Sequence, residues 1–176
     1  MNRLAETAAA LRPNRNGDPV VYATKLAMHT LGRRVVDIDN DCGRLHDELA
    51  DLVKATAPSL VGLHGVGIHT AALLLVAVGD NAERIGSEAA FAHLCGVAPI
   101  HASSGKVTRH RLNRGGNRQA NHALWRIVFT RMSSDPRTRA YVARRLDEGR
   151  SKPEIMRALK RYVAREVYSH LPGVQR

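Results

Sequence analysis

The longest regular pattern in the sequence is a heptad repeat of apolar residues. It comprises Met28, Leu31, Val35, Ile38, Cys42, Leu45, Leu49 and Leu52, spaced alternately three and four residues apart. Such a narrow apolar seam over four heptads is typical of a long helix that packs against a partner helix. The pattern predicts a coiled-coil helix over 24–57 and a homo-oligomer formed through the heptads at 28–52. A helix packed within its own domain would explain the same spacing.

The remaining sequence predicts a mainly α fold. Hydrophobic residues make up 44% of the 176 residues but aromatic residues only 4%, which suits a core of Ala, Leu and Val helices. Only short pieces near 97–100 and 106–112 have an extended character, and they can pair as a small β-hairpin. We predict a long N-terminal coiled-coil helix followed by a compact helical domain. The expected boundaries are a lead-in at 1–23, the coiled-coil helix at 24–57, a nucleic-acid-binding domain at 58–170 and a tail at 171–176.

The positive charge of the chain is concentrated in its last 76 residues. The formal net charge is +11, yet residues 1–60 are neutral and residues 61–100 carry a net −2. Residues 101–176 contain 18 Lys and Arg against five Asp and Glu. Such an imbalance indicates a polyanionic partner, most simply DNA or RNA.

The segment 101–121 combines cations with glycines and a Ser-Ser-Gly turn. It contains no Asp or Glu, and Gly105, Gly115 and Gly116 give its backbone the freedom to approach a ligand closely. Hydroxyls, backbone N–H groups and fixed positive charges suit a phosphate backbone. We therefore predict nucleic-acid contacts at Gly105, Lys106, Arg109, Arg111, Arg114 and Arg118.

A second candidate contact lies in the segment 59–79, SLVGLHGVGIHTAALLLVAVG. A short apolar helix leads into Gly65-Val66-Gly67, and another helix follows. This arrangement is typical of a helix-hairpin-helix, in which Gly65 and Gly67 allow a tight turn and expose N–H groups to a phosphate. A plain corner between two helices would have the same pattern.

The serines of the basic segment raise the question of catalysis. A serine attacks a phosphodiester only if its proton is removed and the developing charge is stabilised. His101 and His110 are the nearby bases, and residues 100–120 contain no carboxylate. From the residues alone, a serine that only binds phosphate or caps a turn remains the simpler interpretation. No metal site is predicted, because the His and Cys spacings fit no standard zinc site and no acidic set for Mg²⁺ is visible.

Six short motifs follow one another along the chain: LHGVG at 63–67, GVAP at 96–99, SSGK at 103–106, NRGGN at 113–117, DPRTRAY at 135–141 and KRYVARE at 160–166. Taken together, they resemble the C-terminal domain of a bacterial transposase family. This is insertion-sequence family one-ten, with its one-sixteen and nine-zero-two relatives. The resemblance covers residues 20 to 170 in order.

The resemblance implies serine-mediated cleavage and strand transfer of DNA. It makes Ser104 the expected nucleophile, with Ser103 as the other choice, and adds Asn117 to the expected nucleic-acid contacts. Family members carry a RuvC-like N-terminal domain whose acidic residues bind Mg²⁺, and a structured guide RNA directs them. That domain has no counterpart in this sequence, so we expect the C-terminal part of a transposase that has no cofactor of its own and depends on Mg²⁺ held elsewhere. A non-catalytic module that binds DNA or RNA backbones and oligomerises is the alternative.

The sequence also predicts a soluble, cytoplasmic protein without a membrane segment. There is no apolar run of 18 residues and no signal-peptide pattern. The two cysteines, Cys42 and Cys95, form no CxxC motif and do not suggest a disulfide framework.

Overall fold

The computed structural model describes residues 3–79, 82–101 and 110–174. It confirms the mainly α fold with a long N-terminal helix. The described helices are α1 (Arg3–Ala9), α2 (Pro19–Thr56), α3 (Pro58–Val61), α4 (Ile68–Val78), α5 (Glu88–Leu94), α6 (Arg118–Ser134), α7 (Pro136–Asp147) and α8 (Lys152–Tyr168). The chain divides into two compact units, residues 1–48 and residues 49–176.

The first unit consists of α1 and most of α2. The carboxylate of Asp18 accepts hydrogen bonds from the N–H groups of Val20 and Val21 at 2.9 Å, and Pro19 occupies the first helical position, so the helix begins at residue 19. Gly32 lies against α1, because a Cβ there would come within 2.5 Å of the Ala9 nitrogen. Gly32 lowers the helix propensity of α2 locally, but its lack of a side chain lets α1 pack closely.

The apolar seam of the first unit faces solvent within the single chain. Leu31 and Leu45 are 65% and 64% exposed, and Met28, Val35 and Ile38 are exposed as well. Within the described part of this unit, the seam that the heptads predict is thus available to a partner. The oligomer and the coiled coil themselves stay predictions.

The second unit is built around α6. This helix packs against α4, α7 and α8, while α5 packs against α8. Its residues at spacings of three and four point into the core, namely Ala120, Ala123, Leu124, Ile127 and Val128. They meet Phe91 of α5, Leu74 of α4, and Ile155, Val163 and Val167 of α8, all of which are buried. One face of α6 is thus buried in the core, and the opposite face is exposed.

A short β-ladder marks the base of the basic segment. Strand β1 (Ile100–His101) pairs antiparallel with β2 (His110–Arg111), and Ile100 lies opposite Arg111. This is the small β-hairpin that the sequence suggests near 97–112. Ser103, Ser104, Gly105, Lys106 and Arg109 lie outside the described residues.

Candidate nucleic-acid interface

A cleft of about 430 Å³ opens at the N-terminal end of α6. We call it the α6 cleft. It is lined by Gly96, Asn113, Arg114, Gly116, Arg118, Asn121, His122 and Trp125. Gly96 precedes β1 by four residues and Asn113 follows β2 by two, so the cleft wall is formed by the chain on both sides of the ladder.

The floor of the α6 cleft depends on two glycines that touch each other. Gly96 ends α5 with a φ of 66°, a conformation that favours glycine. A Cβ on Gly116 would lie 2.3 Å from the Gly96 nitrogen and 2.4 Å from its Cα. Gly116 therefore serves close packing of backbone against backbone, whereas the sequence suggested close approach to a ligand.

Three asparagines hold the cleft wall together. The Asn117 side chain accepts a hydrogen bond from the N–H of Ala120 at 3.0 Å and caps α6, while its own N–H donates to the Leu94 carbonyl at 2.6 Å. Asn113 donates to the His93 carbonyl at 3.1 Å, and Asn121 donates to the Cys95 carbonyl at 2.8 Å. The NRGGN motif thus joins α5 to α6. A contact between Asn117 and nucleic acid stays a prediction.

The charge around the α6 cleft is positive. Arg111, Arg114 and Arg118 are exposed. Lys160 reaches the cleft from α8, because its Nζ donates to the Asn121 side-chain oxygen at 2.8 Å. Burial lowers the pKa of Lys160, and the nearby Arg157 adds to this effect. No Asp or Glu occurs in the sequence from 89 to 134 to offset these charges.

An aromatic row that we did not predict continues from the cleft along α6. The His122 and Trp125 rings stack at a centroid distance of 5.7 Å and an interplanar angle of 16°. Trp125 in turn stacks on Phe129 at 5.2 Å and 20°. The rings lie on the exposed face of the helix, where Trp125 is 39% and Phe129 60% exposed. We call these three residues the aromatic ladder.

The α3–α4 turn lies at the other end of α6. Gly65 has a φ of 80°, and a Cβ there would come within 3.3 Å of the Ile127 carbonyl oxygen. Arg131 fastens the turn, since its Nε donates to the His64 carbonyl at 2.7 Å and its Nη1 donates to Glu166 at 2.5 Å. Arg118 and Arg131 are 13 residues apart, about 20 Å along the helix axis. The structure therefore separates Gly65 from the α6 cleft.

Gly67 has a different environment from Gly65. It is the N-cap of α4, and nothing lies within 4 Å of the position that its Cβ would take. This open helix end is compatible with a phosphate contact. The helix-hairpin-helix function of the turn stays a prediction, as does the role of Gly67.

The donor set of the described residues does not fit a Mg²⁺ site. No group of three or more His, Cys, Asp or Glu among them could hold a metal ion. Two acids on the core helices already have partners: Glu88 pairs with Arg161 and Arg165, and Glu166 pairs with Arg131. None of the described helices has the length and apolar character needed to cross a membrane.

Comparison with known proteins gives this basic helical domain a class. Residues 58–143 match the family model described as "Transposase IS116/IS110/IS902 family". The chain is also 37% identical over 106 residues to the "Insertion element IS110 uncharacterized 43.6 kDa protein" of Streptomyces coelicolor, an alignment that covers 60% of this chain and 26% of that protein. The chain therefore contains an insertion-sequence transposase domain.

The family is the one that the sequence motifs resemble. Residues 58–143 match the IS116/IS110/IS902 transposases and the Streptomyces relative is an IS110 protein, which confirms the resemblance. The matched region includes the α3–α4 turn, the β-ladder, the α6 cleft and the aromatic ladder. The chain spans about a quarter of the length of its Streptomyces relative.

Proposed function

We propose that this chain is part of a DNA transposase that moves an insertion sequence by serine-mediated phosphodiester cleavage and strand transfer. The observation that carries the proposal is the position of the α6 cleft within a transposase domain. Arg114 and Arg118 are exposed in this cleft, whose lining also includes Gly96, four residues before β1, and Asn113, two residues after β2. The cleft thus offers fixed positive charge for phosphate groups within the same domain as Ser104.

The proposed reaction makes Ser104 the nucleophile. Its oxygen bonds to the phosphorus of the scissile phosphodiester, the bond from phosphorus to the leaving strand's oxygen breaks, and the strand end becomes linked to the protein. The serine proton must pass to a base, for which the sequence offers His101 and His110. Arg114 and Arg118 supply fixed positive charge for the phosphate, a stabilisation that is strongest when the groups are already in place.

The remaining parts of the proposal concern partners. DNA is the proposed substrate, and the family resemblance adds a structured guide RNA. Mg²⁺ would be bound by acidic residues of a RuvC-like domain, because the described residues of this chain do not fit it. The exposed seam of α2 supports self-association, which would bring two serine segments to one DNA molecule.

A covalent-trapping experiment tests the catalytic proposal. The purified chain is mixed with the RuvC-like domain of a family member, Mg²⁺ and labelled DNA that carries insertion-sequence ends, and the mixture is then denatured. We expect a protein–DNA adduct that is lost in Ser104→Ala and kept in the matched control Ser103→Ala. An adduct that persists in Ser104→Ala contradicts the assignment. An adduct formed with Mg²⁺ but without the added domain contradicts the division of the site between two domains.

The non-catalytic binding module is the second candidate. It is favoured by the lack of an acidic set around the α6 cleft and by the exposed seam. This candidate requires that Ser104→Ala leave both DNA affinity and every activity of the complete system unchanged. Excision of a marked element in cells that express wild-type or Ser104→Ala protein separates the two candidates.

A further inference from the structure

We propose that the aromatic ladder is a stacking surface for unpaired bases of single-stranded DNA. Its phosphates would lie on Arg114 and Arg118 in the adjoining α6 cleft. The inference rests on the proposed function in that it takes DNA as the ligand of this domain. It goes further in assigning a separate contact and a strand state, neither of which requires Ser104 to be a nucleophile.

The first argument is the cost of exposing these rings. The sequence contains only two Phe and one Trp, yet Phe129 is 60% and Trp125 39% exposed. His122, Trp125 and Phe129 follow at spacings of three and four residues, so they form one row on the face of α6 opposite its buried residues. Contiguous exposed apolar surface of this kind marks interaction sites in soluble proteins.

The second argument is the shape of the row. The interplanar angle is 16° between the His122 and Trp125 rings and 20° between the Trp125 and Phe129 rings. The ladder therefore presents consecutive planar groups of similar orientation. Flat aromatic rings next to a cationic groove are the usual means of binding single strands without sequence preference, because every base has a π-face. In a duplex the bases stack on each other, and their faces are not accessible to a side chain.

The third argument is charge. Arg118 precedes His122 by one helical turn, Arg126 follows Trp125 directly, and both are exposed. The stretch from 89 to 134, which carries the ladder, contains no acidic residue, so it repels a second copy of the same basic stretch. It attracts a polyanion instead. A strand of DNA satisfies both requirements, because its phosphates match the arginines and its bases match the rings.

The test uses Trp125, the only tryptophan in the chain, as its own reporter. Intrinsic fluorescence is measured while the purified protein is titrated with a single-stranded DNA oligonucleotide, its duplex and the RNA of the same sequence. We expect the single strand at saturation to quench the emission more strongly than the duplex, because duplex phosphates can occupy the cleft beside Trp125 but duplex bases cannot stack on its ring. Equal quenching by strand and duplex overturns the proposal, and RNA that binds at least tenfold more tightly than DNA overturns the choice of DNA.

Variants of Phe129 test the stacking itself. Since one base–aromatic stack contributes about 1–3 kcal/mol, Phe129→Leu is expected to weaken single-strand binding about tenfold, measured by anisotropy of labelled DNA. Duplex affinity should stay within about twofold, because it depends on the arginines. The matched control is Tyr162→Leu, which removes a similarly exposed aromatic ring, 54% exposed, from α8. Unchanged single-strand affinity in Phe129→Leu overturns the proposal.

Two further results keep the outcome interpretable. Phe129→Tyr retains a ring and should bind like the wild type; if it loses affinity as Phe129→Leu does, the ring is not what binds. The helical content of each variant is checked by circular dichroism. The trapping experiment with Ser104→Ala is independent of these measurements. A covalent adduct without preference for single strands would refute only the proposed role of the aromatic ladder. Preference for single strands without an adduct would refute only the catalytic proposal.

Discussion

The contact between Gly96 and Gly116 makes Gly116→Ala a stringent test of how the α6 cleft is built. The new Cβ would lie 2.3 Å from the Gly96 nitrogen, 2.4 Å from the Gly96 Cα and 3.0 Å from the carbonyl carbon of Cys95. Non-bonded carbon atoms normally stay about 3.5–4.0 Å apart, so the two backbones must separate by more than about 1 Å. The atoms in the way belong to the main chain and cannot rotate aside.

That separation would strain the junction between α5 and α6. The hydrogen bond from the Asn117 N–H to the Leu94 carbonyl and the one from Asn121 to the Cys95 carbonyl both cross it. Overpacking costs about 1–3 kcal/mol, and a hydrogen bond broken in a buried place costs about as much again. We expect a loss of about 3 kcal/mol in the free energy of unfolding, equivalent to a Tm lower by roughly 6–12 °C for a chain of this size.

The neighbouring glycine supplies the control. A Cβ on Gly115 would meet only the Asn113 side-chain oxygen, at an ordinary 3.6 Å. Both substitutions remove similar backbone freedom from the unfolded chain, so the difference between them isolates the clash. Thermal unfolding followed by circular dichroism gives both Tm values. A Gly116→Ala variant that melts within about 2 °C of Gly115→Ala would refute the reasoning.

Two other regions give direct predictions. Burial raises the pKa of Cys95 to about 12, so its thiol stays protonated in the folded chain and contributes stability that is lost as pH rises from about 9 toward 12. At pH 8 a thiol reagent should therefore modify only the exposed Cys42 until denaturant is added. Rapid modification of both thiols in the folded protein would contradict this. In α2, Leu45→Asp places a charge in the exposed seam and should convert the predicted oligomer into monomers, as measured by sedimentation equilibrium. The control is His46→Asp, at an exposed position next to the seam, which should leave the oligomer intact. Equal molecular masses for the two variants would count against the seam as an interface.

Much of the helical fold could be predicted because its signals are local. Ser87 accepts a hydrogen bond from the Ala90 N–H and begins α5, and Asp135 with Pro136 begins α7; both are helix-start signals that can be recognised in the sequence. Ser151 and Glu154 form a capping box at the start of α8, with the spacing that marks such a box in a sequence. A side chain that caps a helix acts within three or four residues, so its role can be read from spacing alone.

The α6 cleft could be predicted less completely because it depends on contacts between distant residues. Nothing in the local sequence of Gly96 indicates that Gly116, twenty residues later, packs against it. Lys160 lies in a basic stretch of α8 whose sequence gives no sign of a buried partner, and its contact with Asn121 follows only from the packing of α8 on α6. Tertiary contacts of this kind decide whether a glycine or an asparagine serves the fold or a ligand.

The aromatic ladder has a signal in the sequence. His122, Trp125 and Phe129 repeat at three and four residues, offset from the apolar residues that form the core stripe of the same helix. A second stripe of aromatic residues on the same helix, lying between cations, indicates an exposed surface that binds a partner. The periodicity defines the row, and only the structure shows that the rings stack.

The central claim is that nucleic acid binds along the α6 cleft, and the salt dependence of DNA affinity tests it most directly. Kd for a duplex is measured over a range of salt concentrations for the wild type and for the double variant Arg114→Ala, Arg118→Ala. Each lost phosphate contact should reduce the slope of log K against log salt by about 0.9, so we expect a reduction of nearly two. The control pair Arg137→Ala, Arg139→Ala removes two exposed charges from α7. An unchanged slope in the cleft variant, or an equal reduction in the control, would contradict the account.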